Sequence, residues 1–239
     1  MIRLHIPQPL SAGAALAPTL DQSRYLTQVM RLKPGDPLLA FNGADGEWRC
    51  VVAEVLKKGV VLRAEEKVRE QVMPPDVHLL IATVKKAALE FAVEKATELG
   101  AARIGLVLTA RTQPQHVRMD RLEAIAEESA EQTGRLDVPA VEAPRKLGDL
   151  LDGWDASRRL MFCDETGGEP ALRALADAGG GPWAILIGPE GGFSPEERER
   201  LRGLPFTTAV SLGPRVLRAD TAATTALALW QAAIGDWER

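Results

Sequence analysis

Two segments near the C-terminus share one pattern, Ile185-Leu-Ile-Gly-Pro-Glu-Gly-Gly-Phe-Ser-Pro-Glu-Glu197 and Val210-Ser-Leu-Gly-Pro-Arg-Val-Leu-Arg-Ala-Asp-Thr-Ala222. Each predicts a short apolar strand, a Gly-Pro turn, a loop and the start of a helix. In an open α/β sheet, ligands bind outside the carboxyl ends of strands, where loops leave backbone groups free. Two such loops, close together in the chain, therefore predict one shared pocket.

The sequence around these segments alternates between apolar strands and amphipathic helices. An apolar strand at 77–83 is followed by a helix at 86–99 that ends at Gly100. The other predicted elements are strands 104–109, 159–163, 183–187 and 208–212, and helices 119–133, 169–178, 194–201 and one from Thr221. This alternation predicts an α/β domain with a mostly parallel sheet that is covered on both faces.

The N-terminal part has a different rhythm. Strands are predicted at 2–6, 38–42, 47–56 and 60–64, with one helix at 21–31. The last three strands are joined by tight turns, which favours a small antiparallel barrel or sheet. A polar segment at 69–75 ends in a double proline and predicts a boundary. We expect one domain at 1–70 and a second at 76–239.

Composition is that of a globular protein, with 46% hydrophobic and 26% charged residues. The net charge of −4 argues against a protein coated for indiscriminate nucleic-acid binding. Residues 1–72 nevertheless carry 10 basic against 8 acidic side chains, which is compatible with RNA contact. The uncharged segment 221–235 is shorter than the roughly 20 residues of a membrane span, and the N-terminus lacks an apolar signal region.

The cysteines and histidines predict no metal site. Cys50 and Cys163 are far apart, and reduced thiols in a cytoplasmic protein are the simplest interpretation. His5, His78 and His116 are isolated, without the spacing of metal ligands.

The first loop lacks the features of a phosphate site. Ser194, Pro195 and Glu197 predict a capping box at the helix start. Acidic side chains there would repel a phosphate, and the P-loop and dinucleotide fingerprints are absent. A neutral or cationic ligand held by backbone groups fits better.

The second loop carries candidate reactive groups. Arg218 and Arg215 have no local partner in the sequence, so either could clamp an anion or a carbonyl group, or lie at the surface. Asp220 stands where a helix begins, and it could be the N-cap of that helix or a functional acid.

The final helix predicts a homodimer. From Thr221 to Gly235 it carries no charge on any face. A helix that is apolar all round is expected to be buried all round. Since a terminal helix on a sheet normally has one wet face, the second dry face should meet another subunit.

Several motifs together resemble the RsmE family, the 16S ribosomal RNA (uracil-N3)-methyltransferases of the SPOUT superfamily. They are Gly188-Pro-Glu-Gly-Gly-Phe-Ser194, Leu212-Gly-Pro-Arg-Val-Leu-Arg218, Lys95-Ala-Thr-Glu-Leu-Gly100, Glu131-Gln-Thr-Gly-Arg135 and Val29-Met-Arg-Leu-Lys-Pro-Gly-Asp36. The resemblance spans nearly the whole chain. One departure is Arg218-Ala-Asp-Thr221, where the family usually has Arg-Thr-Glu-Thr.

The resemblance implies a PUA-like β-barrel for RNA and an α/β domain with a trefoil knot. It also implies S-adenosylmethionine bound by the knot loops, a homodimer, and methyl transfer to N3 of one uridine of 16S RNA in the assembled small ribosomal subunit. The knot comes from the resemblance alone, because topology rules treat threaded connections as nearly absent.

The resemblance also suggests roles for individual residues. Arg218 is the first candidate to stabilise charge on the uracil, and the proton acceptor could be Asp220, Glu190 or water. The expected cofactor-binding residues are Ile187, Gly188, Pro189, Gly191, Gly192, Ser211, Leu212, Gly213, Val216 and Leu217. The expected RNA-binding residues are Arg3, Arg24, Arg31, Lys33, Arg111, Arg135 and Arg215.

Two alternatives compete with this function. A knotted methyltransferase could act on a ribose 2′-hydroxyl or a tRNA base instead. A protein that has lost catalysis could serve as an RNA-binding assembly factor, and the Ala219-Asp220 departure is the only support for it.

Overall fold

The computed structural model describes residues 1–113, 115–176 and 178–237. These residues divide into two compact units. The N-terminal unit comprises Met1–Met73 with Ala130–Val138, and the C-terminal unit comprises Pro74–Ser129 with Pro139–Arg239.

The N-terminal unit is built on a five-stranded sheet of fully described residues, in the order β1-β3-β4-β5-β2. Its elements are β1 (Arg3–His5), β2 (Ala15–Leu16), α1 (Leu20–Arg24), a π-helix (Tyr25–Val29), β3 (Pro37–Phe41), β4 (Glu47–Leu56) and β5 (Gly59–Arg69). Leu4, Leu38, Cys50 and Leu62 from successive strands are buried in one core. The prediction of a small antiparallel β domain is therefore confirmed except for one strand pair.

Two details of this sheet differ from the prediction. β1 pairs with β3 in parallel, whereas the other pairs are antiparallel. A parallel pair needs a long connection. The segment that connects β1 to β3 is long and contains β2 and the helix. The two residues of β2 are too few to show any periodicity, so this strand was not predicted.

The predicted helix 21–31 is shorter and less regular in the structure. It begins at Leu20 because Thr19 and Gln22 form a capping box. From Tyr25 to Val29 it widens into a π-helix, a form that occurs frequently at functional sites. Arg31 has φ of +56°, a left-handed conformation beyond the end of the helix.

The C-terminal unit contains a sheet of seven strands within the described residues, in the order β10-β12-β9-β11-β6-β7-β8. Its elements are β6 (Val77–Ala82), α2 (Lys86–Glu98), β7 (Arg103–Leu108), α3 (Met119–Thr133), β8 (Ala140–Lys146), α4 (Leu147–Asp152), β9 (Arg159–Cys163), β10 (Glu169–Pro170), α5 (Ala171–Ala176), β11 (Trp183–Ile187), α6 (Pro195–Gly203), β12 (Thr207–Ser211) and α7 (Ala219–Ile234). Every strand pair among these residues is parallel, so the predicted parallel α/β sheet is confirmed.

The strand order brings three loops to one place. β9 lies between β11 and β12, and the three strands run in the same direction. Their carboxyl ends therefore meet at one edge of the sheet.

Some predicted elements of this unit were wrong. The segment predicted as helix 169–178 contains a two-residue strand and the short helix α5, and position 177 lies outside the described residues. β8 and α4 were not predicted. β8 is an edge strand whose residues are largely exposed, so it lacks the apolar pattern of a buried strand.

Helix α7 differs from the prediction at its N-terminus. Its N-cap position is Arg218, without a side-chain cap, so the N-cap prediction for Asp220 was wrong. Within one chain the helix buries only one face, which includes Ala223, Leu227 and Trp230, while Ala228 and Leu229 stay half-buried. The other face is the one that the sequence analysis expects to meet another subunit, and that expectation stays a prediction. Among the described helices, none combines the length and apolar character of a membrane span.

Candidate active site

A cavity of about 370 Å³ lies at the carboxyl ends of β9, β11 and β12, and the start of α7 closes one side. Ligand sites commonly have about 300–1,000 Å³. The structure brings together the ten residues predicted to hold a cofactor, Ile187, Gly188, Pro189, Gly191, Gly192, Ser211, Leu212, Gly213, Val216 and Leu217. The two Gly-Pro loops thus share one pocket, while the role of each residue stays a prediction.

Several backbone groups of this cavity have no partner among the residues that the structure describes. Gly188, Leu212 and Leu217 make no backbone hydrogen bond to any described residue. Backbone N–H and C=O groups in folded proteins are nearly always paired with protein or water. The two loops therefore present donors and acceptors that water or a ligand must satisfy.

The first loop is held in shape by hydrogen bonds among residues of the cavity wall. Gly192 N–H donates to the Pro189 carbonyl at 2.8 Å, and Gly192 has φ of +65°. Arg111, which follows β7, donates to the Gly191 carbonyl at 2.8 Å. These bonds fix the path of the loop between β11 and α6.

The capping box predicted at the start of α6 is present. Ser194 Oγ accepts from Glu197 N–H, and Glu197 Oε2 accepts from Ser194 N–H at 2.9 Å. The other carboxylate oxygen of Glu197 accepts from Ala110 N–H at 2.7 Å. Hydrogen bonds from Ser194 and backbone, with the nearby Arg111 charge, lower the pKa of Glu196 below its usual range. This helix start is acidic, in agreement with the exclusion of a phosphate.

The second loop leaves its two arginines free. Arg215 and Arg218 are exposed, and neither guanidinium forms a hydrogen bond or ion pair with another described residue. Gly213 has φ of +117°, and its N–H donates to Ser211 Oγ at 3.2 Å. A side chain at Gly213 would meet no described atom within 4 Å. The loop is thus open to a ligand.

The loop after β9 contributes an acidic cluster that sequence reasoning missed. Asp164 is buried, and its carboxylate accepts from Thr166 N–H at 2.9 Å and from Arg202 at 2.6 Å. Glu165 accepts from Arg198 Nη2 at 2.6 Å. Asp164, Glu165 and Arg198 line the cavity. The signal was available in Phe162-Cys-Asp-Glu165, where two acids directly follow a buried strand.

Cys163 also lines the cavity and was not predicted there. Burial raises the pKa of its thiol far above the ordinary value. The thiolate is the nucleophilic form of cysteine, so Cys163 is a wall of the cavity and not an activated nucleophile.

The three predicted catalytic residues do not share one position. Glu190 lines the cavity and is exposed. Arg218 and Asp220 do not line it, although Ala219 and Ala222 beside them do. Asp220 Oδ1 accepts from Thr221 N–H at 2.6 Å.

The predicted RNA-binding residues fall into two groups. Arg111 and Arg215 line the cavity, whereas the others belong to the N-terminal unit, at Arg3, Arg24, Arg31, Lys33 and Arg135. The five residues of the second group differ in whether another residue of the protein already pairs with the positive charge.

Arg3 and Arg135 are the least available of these cations. Arg3 pairs with the buried Glu47 at 2.6 Å and donates to the Glu131 and Arg135 carbonyls, both at 2.7 Å. Arg135 pairs with Asp137 at 2.6 Å. Their guanidinium groups stabilise the N-terminal unit, so neither presents a free charge to RNA.

Comparison with known proteins identifies both parts of the chain. A family model of an RNA methyltransferase domain matches residues 71–231, and a model of an RNA methyltransferase PUA domain matches residues 18–65. Ribosomal RNA small subunit methyltransferase E of Rickettsia conorii is 31% identical over 229 residues, which cover 95% of this chain and 93% of the relative.

Solved structures agree with this match. A putative methyltransferase from Legionella pneumophila, in complex with S-adenosylmethionine, is 31% identical with a TM-score of 0.87 and 98% coverage of each chain. Ribosomal RNA small subunit methyltransferase E from Neisseria gonorrhoeae, bound to S-adenosylmethionine, is 24% identical with a TM-score of 0.89 and 99% coverage of each chain, and it shows the same fold. The chain belongs to the RNA methyltransferase family that includes ribosomal RNA small subunit methyltransferase E.

Proposed function

We propose that this protein transfers the methyl group of S-adenosylmethionine to N3 of a specific uridine in 16S ribosomal RNA of the assembled small subunit. The observation that carries this proposal is the cavity of the two Gly-Pro loops, with its unpaired backbone groups, the free Arg215 in its wall and the free Arg218 just outside the lining. Membership of the family supplies the reaction class, and its named relatives act on the RNA of the small ribosomal subunit.

The cavity fits S-adenosylmethionine on three grounds. Its volume of about 370 Å³ lies within the range of small-ligand sites. The backbone of Ile187, Gly188, Leu212 and Leu217 can pair with an adenine edge and ribose hydroxyls. Asp164, Glu165 and Glu190 balance the charges of Arg111, Arg198 and Arg215 in the described lining, so the cavity lacks the net positive charge that would favour a polyphosphate.

The free arginines suit the chemistry of the uracil. S-adenosylmethionine, when bound, supplies an electrophilic methyl group. As the N3 proton leaves, negative charge grows on the uracil carbonyl oxygens, and a guanidinium can stabilise it by paired hydrogen bonds. Arg218 takes this role in our proposal, because no described residue competes for its charge.

The carboxylates differ in their suitability as proton acceptors. Glu190 lines the cavity and faces solvent. Asp220 lies outside the lining and accepts a hydrogen bond from the backbone of Thr221. Glu190, or water beside it, is therefore the favoured acceptor, and Asp220 has a supporting role at the start of α7.

The two parts of the chain divide the task. We propose that residues 1–70 bind RNA through Arg24, Arg31 and Lys33, and that residues 76–239 bind the cofactor and the target base with help from Arg111 and Arg215. The trefoil knot of the second part stays a prediction. A cytoplasmic location, where ribosomes are assembled, follows from the substrate.

The half-buried face of α7 supports a homodimer. Ala228, Leu229 and Ile234 remain partly exposed in the single chain, and none of the residues of this face is charged. Covering this face would remove apolar surface from water. Light scattering should give the mass of two chains, and Leu229→Glu should give one, whereas a monomeric wild type would refute the dimer.

The function is tested on small ribosomal subunits from a strain that lacks the family's enzyme. Mass mapping of their 16S RNA, before and after treatment with this protein and S-adenosylmethionine, should show one new methyl group on a uracil base. A methyl group on a ribose, or a methylated tRNA base with unmodified 16S RNA, would replace the proposed target.

A binding experiment separates the enzyme from an assembly factor. Calorimetry with S-adenosylmethionine should show one site per chain in the wild type. Absence of cofactor binding together with retained binding to small subunits would favour the non-catalytic alternative and refute the proposed function.

A further inference from the structure

The N-terminal unit contains a second cavity, of about 350 Å³, between the first helical segment and the β4–β5 hairpin. Ser23, Thr27 and Gln28 line it from the helical side, and Val55 to Gly59 line it from the hairpin. All of these residues belong to one compact unit, whereas the site described above belongs to the other. The sequence of this cavity lies within the match to the PUA domain at 18–65.

The interior of this cavity holds an unsatisfied hydroxyl group. Ser23 is 4% exposed, and its Oγ has no hydrogen-bond partner among the described residues. Thr27 Oγ1 donates to the Ser23 carbonyl at 2.8 Å, so its lone pairs remain free to accept. A buried hydroxyl without a partner is unfavourable for the fold. Because the Oγ atom itself is enclosed, a ligand could pair with it only by displacing the wall beside it.

The helical wall is also irregular. Thr27 and Gln28 lie in the π-helix Tyr25–Val29, and the side chain of Gln28 is exposed at the cavity. π-helical turns are rare and occur frequently at functional sites. Gln28 carries both a donor and an acceptor, which is the pairing pattern that a base edge requires.

Cations surround the mouth of the cavity. Lys57 and Lys58 are exposed and form no ion pair with any described residue, and Arg24 pairs only with the exposed Asp21, at 3.2 Å. No acidic side chain lines the cavity within the described residues. Free lysines next to a concave site attract phosphate groups.

The remaining walls are apolar and exposed. Leu20 is 59% exposed and Leu56 47% exposed, and Val55 lies beside them. A flat aromatic ring could cover these side chains. Apolar walls, polar interior atoms and a cationic mouth are together the chemistry of an unpaired nucleotide, because bases are read by proteins mainly when they are unstacked.

We propose that this cavity binds one unpaired nucleotide of the RNA substrate. The base lies against Leu20 and Leu56 with its polar edge toward Gln28, while Lys57 and Lys58 contact the flanking phosphates. This inference rests on the proposed function for the identity of the substrate as RNA. It adds a second point of recognition to that function.

The chain offers a substitution that fills the cavity without a change of charge. A Cβ at Gly59 would lie 3.9 Å from Ser23 Oγ, an ordinary contact, and the φ of Gly59 is not left-handed. Gly59→Val should therefore fold normally, because valine suits a strand. Lys57→Gln tests the phosphate contact, and Arg63→Gln, an exposed cation of the same unit outside the cavity, is its matched control.

Binding is measured by fluorescence anisotropy with a labelled single-stranded oligoribonucleotide of mixed sequence and with the duplex of the same length. We expect wild type to prefer the single strand, and Gly59→Val to lose about tenfold in affinity for it. Lys57→Gln should lower the salt slope by about 0.7 per lost phosphate contact, and Arg63→Gln should leave it unchanged. Equal binding by Gly59→Val and wild type would overturn the proposal, as would equal preference for duplex and single strand.

A second readout separates this inference from the proposed function. On small ribosomal subunits, Gly59→Val should raise KM with unchanged kcat, and its affinity for S-adenosylmethionine should equal that of wild type. If Gly59→Val raises KM but binds every oligonucleotide as wild type does, the occupant is a protein segment and the nucleotide assignment is overturned. If wild type transfers no methyl group but shows cavity-dependent RNA binding, the proposed function fails while this inference stands.

Discussion

Replacing Gly188 with alanine tests whether packing requires this glycine of the first loop. A Cβ there would lie 2.5 Å from Cε2 and 3.0 Å from Cδ2 of Phe193. The Phe193 ring is fully buried and packs edge-on against Phe162, with ring centroids 5.0 Å apart. The φ of Gly188 is not left-handed, so the cost comes from displacing the ring. Such overpacking costs about 1–3 kcal/mol, and 2 kcal/mol would lower Tm by about 4–8 °C.

Thermal unfolding of Gly188→Ala, Phe193→Leu and the double variant measures this coupling. Leucine leaves room for the new methyl group, so the double variant should be more stable than the sum of the two effects by about 0.5–3 kcal/mol. Gly213→Ala is the matched control, because its Cβ would meet no described atom within 4 Å and its cost comes from a φ of +117°. Phe193→Leu should not rescue that control. The packing explanation would be refuted if Gly188→Ala had the Tm of wild type, or if the effects of the two substitutions simply added in the double variant.

Three further predictions concern charged groups. Arg218→Ala should lower methyl transfer by about 100-fold and leave calorimetric affinity for the cofactor within error; transfer at the wild-type rate would exclude Arg218 from the reaction. Arg3→Met should destabilise the N-terminal unit by about 3 kcal/mol in urea unfolding, because Glu47 loses its closest partner. The same variant should keep the salt dependence of RNA binding, which Arg24→Gln should reduce. A reduced salt dependence for Arg3→Met would instead mean that Arg3 contacts the RNA. Burial, with the Arg158 charge as the second cause, lowers the pKa of His78 from 6.5 to about 4. As the pH falls, the unfolded chain therefore binds a proton at His78 before the folded chain does. The free energy of unfolding should fall by about 2 kcal/mol from pH 6.5 to 4, after allowance for solvent screening. A His78→Leu variant that loses the same amount over this range would contradict the assignment to His78.

The sequence predicted the two Gly-Pro loops of the cavity but not the third loop. Consecutive strands are usually neighbours in a sheet, which would place β11 beside β12. The structure instead inserts β9 between them, and Asp164 and Glu165 thereby reach the cavity. Strand order depends on long-range pairing and leaves no local pattern, so these acids could not be assigned to the site without the structure.

Local patterns predicted regular elements well and irregular ones poorly. The capping box of Ser194 and Glu197 was predicted from spacing alone, because its cause is confined to four residues. The π-helix at Tyr25–Val29 was not predicted, since its residues have the apolar pattern of an ordinary helix. The edge strand β8 includes Pro144, which edge strands tolerate but which argues against a strand in a sequence pattern.

The glycines of the active-site loops show why a motif alone does not identify ligand contacts. Gly188 faces the ring of Phe193, and a Cβ at Gly192 would overlap Glu165, which pairs with Arg198. Gly188 is thus explained by packing, and Gly192 by its left-handed φ of +65° together with packing. Gly213 has open space around it and a φ that disfavours any side chain. Of these three, Gly213 is therefore the glycine whose substitution should weaken cofactor binding more than it weakens the fold, because a side chain there would enter only the space that a ligand needs.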